Sequence, residues 1–215
     1  MHRALLNLPK RFGSMGKFAP AHSPVIVVGG NDGGVSVATW LQLDFRRNFR
    51  NNITIIDPST EYVYQSGQTL IGSGIKDLKD IKIDANKRIL PGIKTIRKRV
   101  KLVKPDDNTV VMDDGTELTY DYLVLSVGIH PKLELIKGLK EALEDDSTPV
   151  ASNYLPQSAI KMNKLREEFK GGKAIFTQPS TPIKCGGAPL KITFMCANTW
   201  KHNKTDAQMK FFTGT

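Results

Sequence analysis

The sequence predicts an α/β fold: a parallel sheet between helical layers, carrying an antiparallel insertion, followed by an incomplete second unit of the same kind. Three observations predict it. A β-branched run at residues 25–28 opens into the glycine-rich turn Gly29-Gly30-Asn31-Asp32-Gly33-Gly34 and a helical stretch. A second apolar run at residues 53–56 stops on an acid, Asp57. A later strand-like run, residues 174–177, leads into a thiol-bearing loop ahead of another helix.

The opening segment is set aside first. Residues 1–31 hold Arg3, Lys10, Arg11 and Lys17, and their first acid comes only at Asp32. Apolar and basic residues alternate there (Leu5, Leu6, Leu8, Phe12, Phe18) without the continuous apolar core of a secretory signal. That composition predicts a mitochondrial transit peptide over residues 1–23; a basic tail with no address is the alternative.

The first unit spans residues 24–138. Val25-Ile26-Val27-Val28 lacks polar alternation, which suits a strand buried on both faces of a parallel sheet. Residues 35–47 read as a helix, with the apolar Val37, Leu41 and Phe45 at helical spacing. Strand, glycine turn, helix, strand and acid is the order of a dinucleotide-binding βαβ unit. The first glycine permits the tight turn, and the helix N-terminus points N–H groups at a pyrophosphate. The acid accepts hydrogen bonds from ribose hydroxyls. Asp57 falls 28 residues after Gly29, late but compatible with a longer loop. One position departs from the G-x-G-x-x-G frame: Asn31 stands where a glycine lets phosphate approach the backbone.

Residues 94–103 alternate basic and apolar side chains and read as one exposed strand. Asp113-Asp114-Gly115-Thr116 between two β-rich runs marks a hairpin. Residues 122–127 form a buried strand ending at Gly128. A polar stretch within 139–150 reads as a linker to a second α/β region, residues 151–215. There, residues 157–169 read as a helix with Ile160, Leu165 and Phe169 inward, and residues 173–177 as a strand. Gln178-Pro179-Ser180-Thr181-Pro182 follows that strand where a nicotinamide site would need glycines, and proline supplies no N–H to a pyrophosphate. The loop instead carries Cys185, beside Lys184 and just before a helix start. Both features favour the thiolate, the nucleophilic form. A buried structural cysteine is the alternative.

Composition excludes several classes. Across 215 residues the 31 bases, less the four above, leave 27 against 21 acids, mixed along the chain. There is no basic stripe with aromatic platforms, so nucleic acid is not the expected partner. No apolar run nears the roughly 20 residues that span a bilayer. Two cysteines eleven residues apart make neither a disulfide scaffold nor a metal site, and Cys196 reads as helix core.

Together these residues resemble the sulfide:quinone oxidoreductases of mitochondrial type, from about Ser23 onward. The anchors are the Gly29–Gly34 turn, Asp57-Pro58-Ser59, Tyr64-Gln65 with Thr69-Leu70, Gly72-Ser73-Gly74, Gly128, Gly138-Leu139 and Ser152-Asn153-Tyr154. The most diagnostic runs from Ala174-Ile175-Phe176-Thr177 into Thr181-Pro182-Ile183-Lys184-Cys185. The resemblance implies a flavoprotein with a Rossmann-like FAD-binding domain. It would take electrons from hydrogen sulfide through FAD to ubiquinone, passing sulfur to a small acceptor. It implies Cys185 as the redox cysteine and Asp57 as the ribose acid. Gly29, Gly30, Asp32, Gly33 and Gly34 would lie at the pyrophosphate turn, with Gln65, Val100 and Gly128 as further cofactor contacts. Ser66 and Gln68 depart from a Pro and a Trp of the family. Family members run about twice as long, so the chain is expected to be truncated, lacking the partner cysteine and the helices that meet the inner membrane peripherally. Two other functions remain: an NAD(P)H-linked flavin reductase, and a non-catalytic remnant that binds FAD or a partner protein.

Overall fold

The computed structural model describes residues 21–44, 49 and 51–214. Residues 1–20 of the expected transit segment lie outside the described residues. β1 runs Ala21–Val28, so its first three residues overlap the expected transit segment. Its polar start is held by pairing: Ala21 and Ser23 sit opposite Leu118 and Tyr120. The buried Ser23 hydroxyl shares a 2.8 Å hydrogen bond with Thr54. Such a start leaves no apolar signature in the sequence.

The main sheet has six strands in the order β5-β2-β1-β8-β7-β6. These are β1, β2 (Ile53–Ile56), β5 (Lys94–Ile96), β6 (Val100–Lys104), β7 (Thr109–Met112) and β8 (Glu117–Leu125). β5, β2, β1 and β8 are parallel, while β7 and β6 return antiparallel. This is the Rossmann-like arrangement with its antiparallel insertion. Alternate residues of β1 enter opposite cores. Val25 and Val27 pack with Ile53, Ile55 and the helix residues Val35 and Ala38. Ile26 and Val28 pack with Ile56, Val110, Met112 and Tyr120. Both faces are therefore covered, as the unalternating run requires.

The first helix, α1, spans Asp32–Asp44, three residues earlier than expected. Its buried face is Val35, Ala38 and Gln42, whereas Val37 is 38% exposed. Leu41 is partly buried, and Phe45 lies outside the described residues. The phase is set by the tight glycine start, which turns the small Ala38 to the sheet. The expected single strand over 94–103 is broken into β5 and β6. Arg97, in the gap, donates to the Ser59 carbonyl at 2.7 Å. β8 joins two expected runs and ends at Leu125, three residues before Gly128.

A ribbon of β3 (Glu61–Val63) and β4 (Lys82–Asp84) and two short helices, α2 (Gln68–Gly72) and α3 (Leu78–Ile81), follow β2 in sequence. Residues 139–150, expected as a linker, carry a helix, α4 (Leu139–Glu144), with Leu143 buried. They are tied to α5 (Pro156–Glu168) by Lys161, whose buried ammonium donates to the carbonyls of Ala142 at 2.9 Å and Asp145 at 2.5 Å and to Thr148 at 3.1 Å. Three acceptors offset the desolvation of that charge. Ile160, expected inward, is 43% exposed, because Ala159 and the tethered Lys161 occupy the inner face.

The last unit is β9 (Gly172–Gln178), α6 (Ala188–His202) and β10 (Ala207–Thr213), a parallel pair joined by a helix. β10 was not expected, although Ala207, Met209 and Phe211 are spaced two apart, with Gln208 and Lys210 between them. Ile192, Cys196 and Trp200 of α6 form the core, with Phe176 and Met209 packed against them.

Candidate functional site

The glycine turn sits at the carboxyl ends of the strands, the position where open α/β sheets bind ligands. Gly29 has φ +104, and a Cβ there would lie 2.2 Å from the Ser126 carbonyl oxygen. The Ser126 N–H donates to the Val28 carbonyl at 2.8 Å, so the segment leaving β8 crosses directly against the turn. A Cβ on Gly34 would come 1.8 Å from the Gly29 carbonyl oxygen. Only glycine lets the start of α1 press against the end of β1 in this way. The helical ladder begins with the Val35 N–H on the Asn31 carbonyl at 3.0 Å. The N–H groups of the turn before it are those a helix start offers to an anion.

Asn31 fits its place. Among the described residues the non-glycine left-handed conformations belong to Asn51, Asn108 and Lys204, so Asn31 needs no unusual backbone. It sits at the cap of α1, where asparagine is favoured, and it is exposed. The departure from glycine therefore costs space at the surface rather than strain.

Asp57 ends β2 and reaches back to the turn. Its carboxylate accepts from the Gly30 N–H at 2.7 Å and the Ser59 N–H at 2.8 Å. A carboxylate offers about four lone-pair sites, so acceptor capacity for ribose hydroxyls remains. Asp32 is engaged differently. It accepts from the Tyr62 hydroxyl at 2.5 Å and from Arg88 at 2.6 Å. Burial first, then the bond to Asp32, push the Tyr62 hydroxyl up to about 12, so it stays a donor. Tyr62 and Arg88 were missed in the sequence, since nothing local connects them to a turn 30 and 56 residues away.

The remaining expected contacts lie on three other segments. Val100 is partly buried against the cluster that contains Val28 and Ile56, the last residues of β1 and β2. Gly128, exposed with φ +67, lies in the segment that follows β8. Gln65 is exposed at the start of a single 3-10 turn after β3. The turn's N–H groups and the Asp57 carboxylate have the chemistry a dinucleotide's diphosphate and ribose call for, and the residues present fit FAD.

Cys185 belongs to the second βαβ unit rather than to this cluster. It is exposed, three residues before α6. Its carbonyl accepts from the Ala188 N–H at 3.0 Å and from the Tyr154 hydroxyl at 3.0 Å. Burial, followed by the neighbouring Cys185, raises the Tyr154 hydroxyl above its ordinary value. Tyr154 thus ties the thiol loop to the segment before α5. Cys196 is fully buried, and burial pushes its thiol up to about 12 while Arg166 pulls the other way. It holds its proton where an unfolded chain would lose it, so stability from this group falls as pH rises from the ordinary thiol range toward 12. Native alkylation with iodoacetamide at about pH 8 is therefore expected to label Cys185 alone, with Cys196 reacting only after denaturation. Mass spectrometry of the tryptic peptides checks this.

The pyridine nucleotide-disulphide oxidoreductase family model matches residues 23–165. The mitochondrial sulfide:quinone oxidoreductase of Schizosaccharomyces pombe is 36% identical over 216 residues, covering 93% of this chain and 47% of that protein. The fold is also that of the Aquifex aeolicus sulfide:quinone oxidoreductase structure, with TM-score 0.68, 24% identity, and coverage of 90% of this chain and 43% of that one. A chain in the Tetrahymena thermophila mitochondrial ATP synthase structure shares it too, with TM-score 0.75, 20% identity, and coverage of 95% and 50%. The chain spans about half the length of these proteins. FAD is the cofactor of the matched family. With a glycine cradle, an acid after the second strand and the matching stretch of 143 residues, this chain belongs to the pyridine nucleotide-disulphide oxidoreductase family.

Proposed function

We propose that this chain is the flavin-binding and sulfur-receiving part of a mitochondrial sulfide:quinone oxidoreductase, with hydrogen sulfide as electron donor and ubiquinone as acceptor. The observation that carries the reading is the cradle at the strand ends: Gly29 and Gly34 in forced contact, with Asp57 bonded to Gly30. Bound FAD supplies a two-electron carrier between sulfide and quinone. The turn's N–H groups hold the diphosphate, and Asp57 orients the ribose. Cys185 accepts sulfur as a persulfide, which a small sulfur acceptor then removes. Residues 24–138 form the flavin-binding part and residues 151–215 present the thiol. The acid-free residues before Ala21 direct the chain to the mitochondrion.

A second reading is favoured by one observation. Cys196 is buried and inert, so within these residues Cys185 has no thiol to pair with. A relay between two thiols is not formed among residues 21–214, and on this reading that stretch by itself binds FAD without turnover. One experiment tests both. The purified chain, reconstituted with FAD and desalted, retains yellow flavin on either reading. Anaerobic sulfide bleaches the flavin and a soluble ubiquinone restores it only on the first. A chain that retains no flavin overturns both.

A further inference from the structure

The Arg88 guanidinium lies across the glycine turn. One of its nitrogens donates to Asp32 at 2.6 Å, another reaches the Gly30 carbonyl at 3.4 Å, and its central carbon, Cζ, sits over the Tyr62 ring 3.4 Å from the ring centre. The Arg88 side chain is 16% exposed, while its partner Asp32 is 59% exposed. Arg88 is fixed from behind: it closes the 3-10 turn Ala85–Arg88, whose start is capped by Asp84 on the Asn86 N–H at 2.7 Å. Asp32 is the first residue of α1. A carboxylate there suits the helix dipole, yet it opposes a diphosphate arriving at the same N-terminus.

From this geometry we infer that Arg88 is a positioning residue for the cofactor's diphosphate, acting through Asp32. Its charge cancels that of Asp32 at the mouth of the turn, and Tyr62, by stacking on the guanidinium and donating to the carboxylate, keeps the pair closed. The inference rests on the FAD-binding reading above. It explains how an acidic residue is tolerated in an anion-binding turn.

Flavin fluorescence titration tests it with four proteins: wild type, Arg88→Gln, Asp32→Asn and the double variant. Arg88→Gln is expected to bind FAD about tenfold more weakly, the scale of one uncompensated surface charge, and this deficit shrinks at high salt. Arg88→Gln with Asp32→Asn is expected to return to within about threefold of wild type, because the opposing charge has gone. Asp32→Asn alone binds at least as tightly as wild type. Arg88→Lys, which keeps the charge without the fork, stays nearer wild type than Arg88→Gln does. Arg88→Gln binding as wild type does, or a double variant as weak as Arg88→Gln, overturns the inference and leaves flavin binding standing. A Lys variant as weak as the Gln variant overturns it too. A wild-type chain that binds no FAD overturns the flavin reading itself.

Discussion

Gly34→Ala is expected to abolish flavin retention and to lower the Tm by about 6–12 °C. The added methyl would sit 1.8 Å from the Gly29 carbonyl oxygen, a backbone atom that cannot swing aside as a side chain can. Gly29 in turn is pressed on the Ser126 carbonyl, so moving it away from Gly34 pushes it toward the segment leaving β8. Relief requires α1 to lift from the end of β1. That costs packing at Val35 and Ala38 and opens the N–H cradle. Overpacking of this kind costs roughly 3 kcal/mol, which for a domain near 200 residues is the Tm shift stated. Gly115→Ala is the control. That glycine also has positive φ, +82, but nothing lies within 4 Å of the new methyl. It should show only the roughly 1 kcal/mol of left-handed strain and keep its flavin. Thermal scans and flavin content after desalting measure both. Retained flavin in Gly34→Ala would mean that the turn is not the diphosphate site.

The same contact shows why the first unit was legible in the sequence. Strand, turn, helix, strand and acid are contiguous, and each residue's task is local: Gly29 turns, Gly34 admits the helix, Asp57 reaches back to Gly30. What was not legible depends on partners far along the chain. In α1 the expected Val37 is exposed, while its neighbour Ala38, which carries little hydrophobic signal, is fully buried. Ile160 reads as core, but α5 is oriented by Lys161 and Arg166. Their hydrogen bonds to Ala142, Asp145 and Thr199 leave no trace in hydropathy. The segment 139–150 reads as a linker for the same reason: its order comes from Lys161. Asp32 was expected at the pyrophosphate, yet the ion pair that makes this tolerable joins it to a residue 56 positions away. β10 needed only its alternation, and its pairing with β9 from Ala207 to Thr213 completes the unit that presents Cys185.

Cys185→Ser is expected to remove sulfur uptake and nothing else. Wild-type chain given inorganic polysulfide gains one sulfur at Cys185: the thiolate attacks a terminal sulfur, the S–S bond behind it breaks, and a polysulfide shorter by one atom leaves with the electron pair. A serine hydroxyl offers no such exchange, so labelling at this position falls by at least about a thousandfold. Cys196 does not substitute, since it is fully buried and keeps its proton up to about 12. The replacement is nearly isosteric at an exposed position, and the two bonds that hold the loop, from Ala188 and Tyr154, are made to the Cys185 carbonyl and not to its sulfur. Stability should therefore stay within about 0.5 kcal/mol, and flavin content should not change. Intact-mass analysis after polysulfide treatment reads the outcome. Sulfur appearing on Cys196, or absent from Cys185 in the wild type, would defeat the assignment of Cys185 as receiver. Set beside Gly34→Ala, the variant divides the protein in two. One loses flavin and keeps a sulfur-accepting thiol; the other keeps flavin and accepts none, as expected if cradle and thiol belong to separate βαβ units.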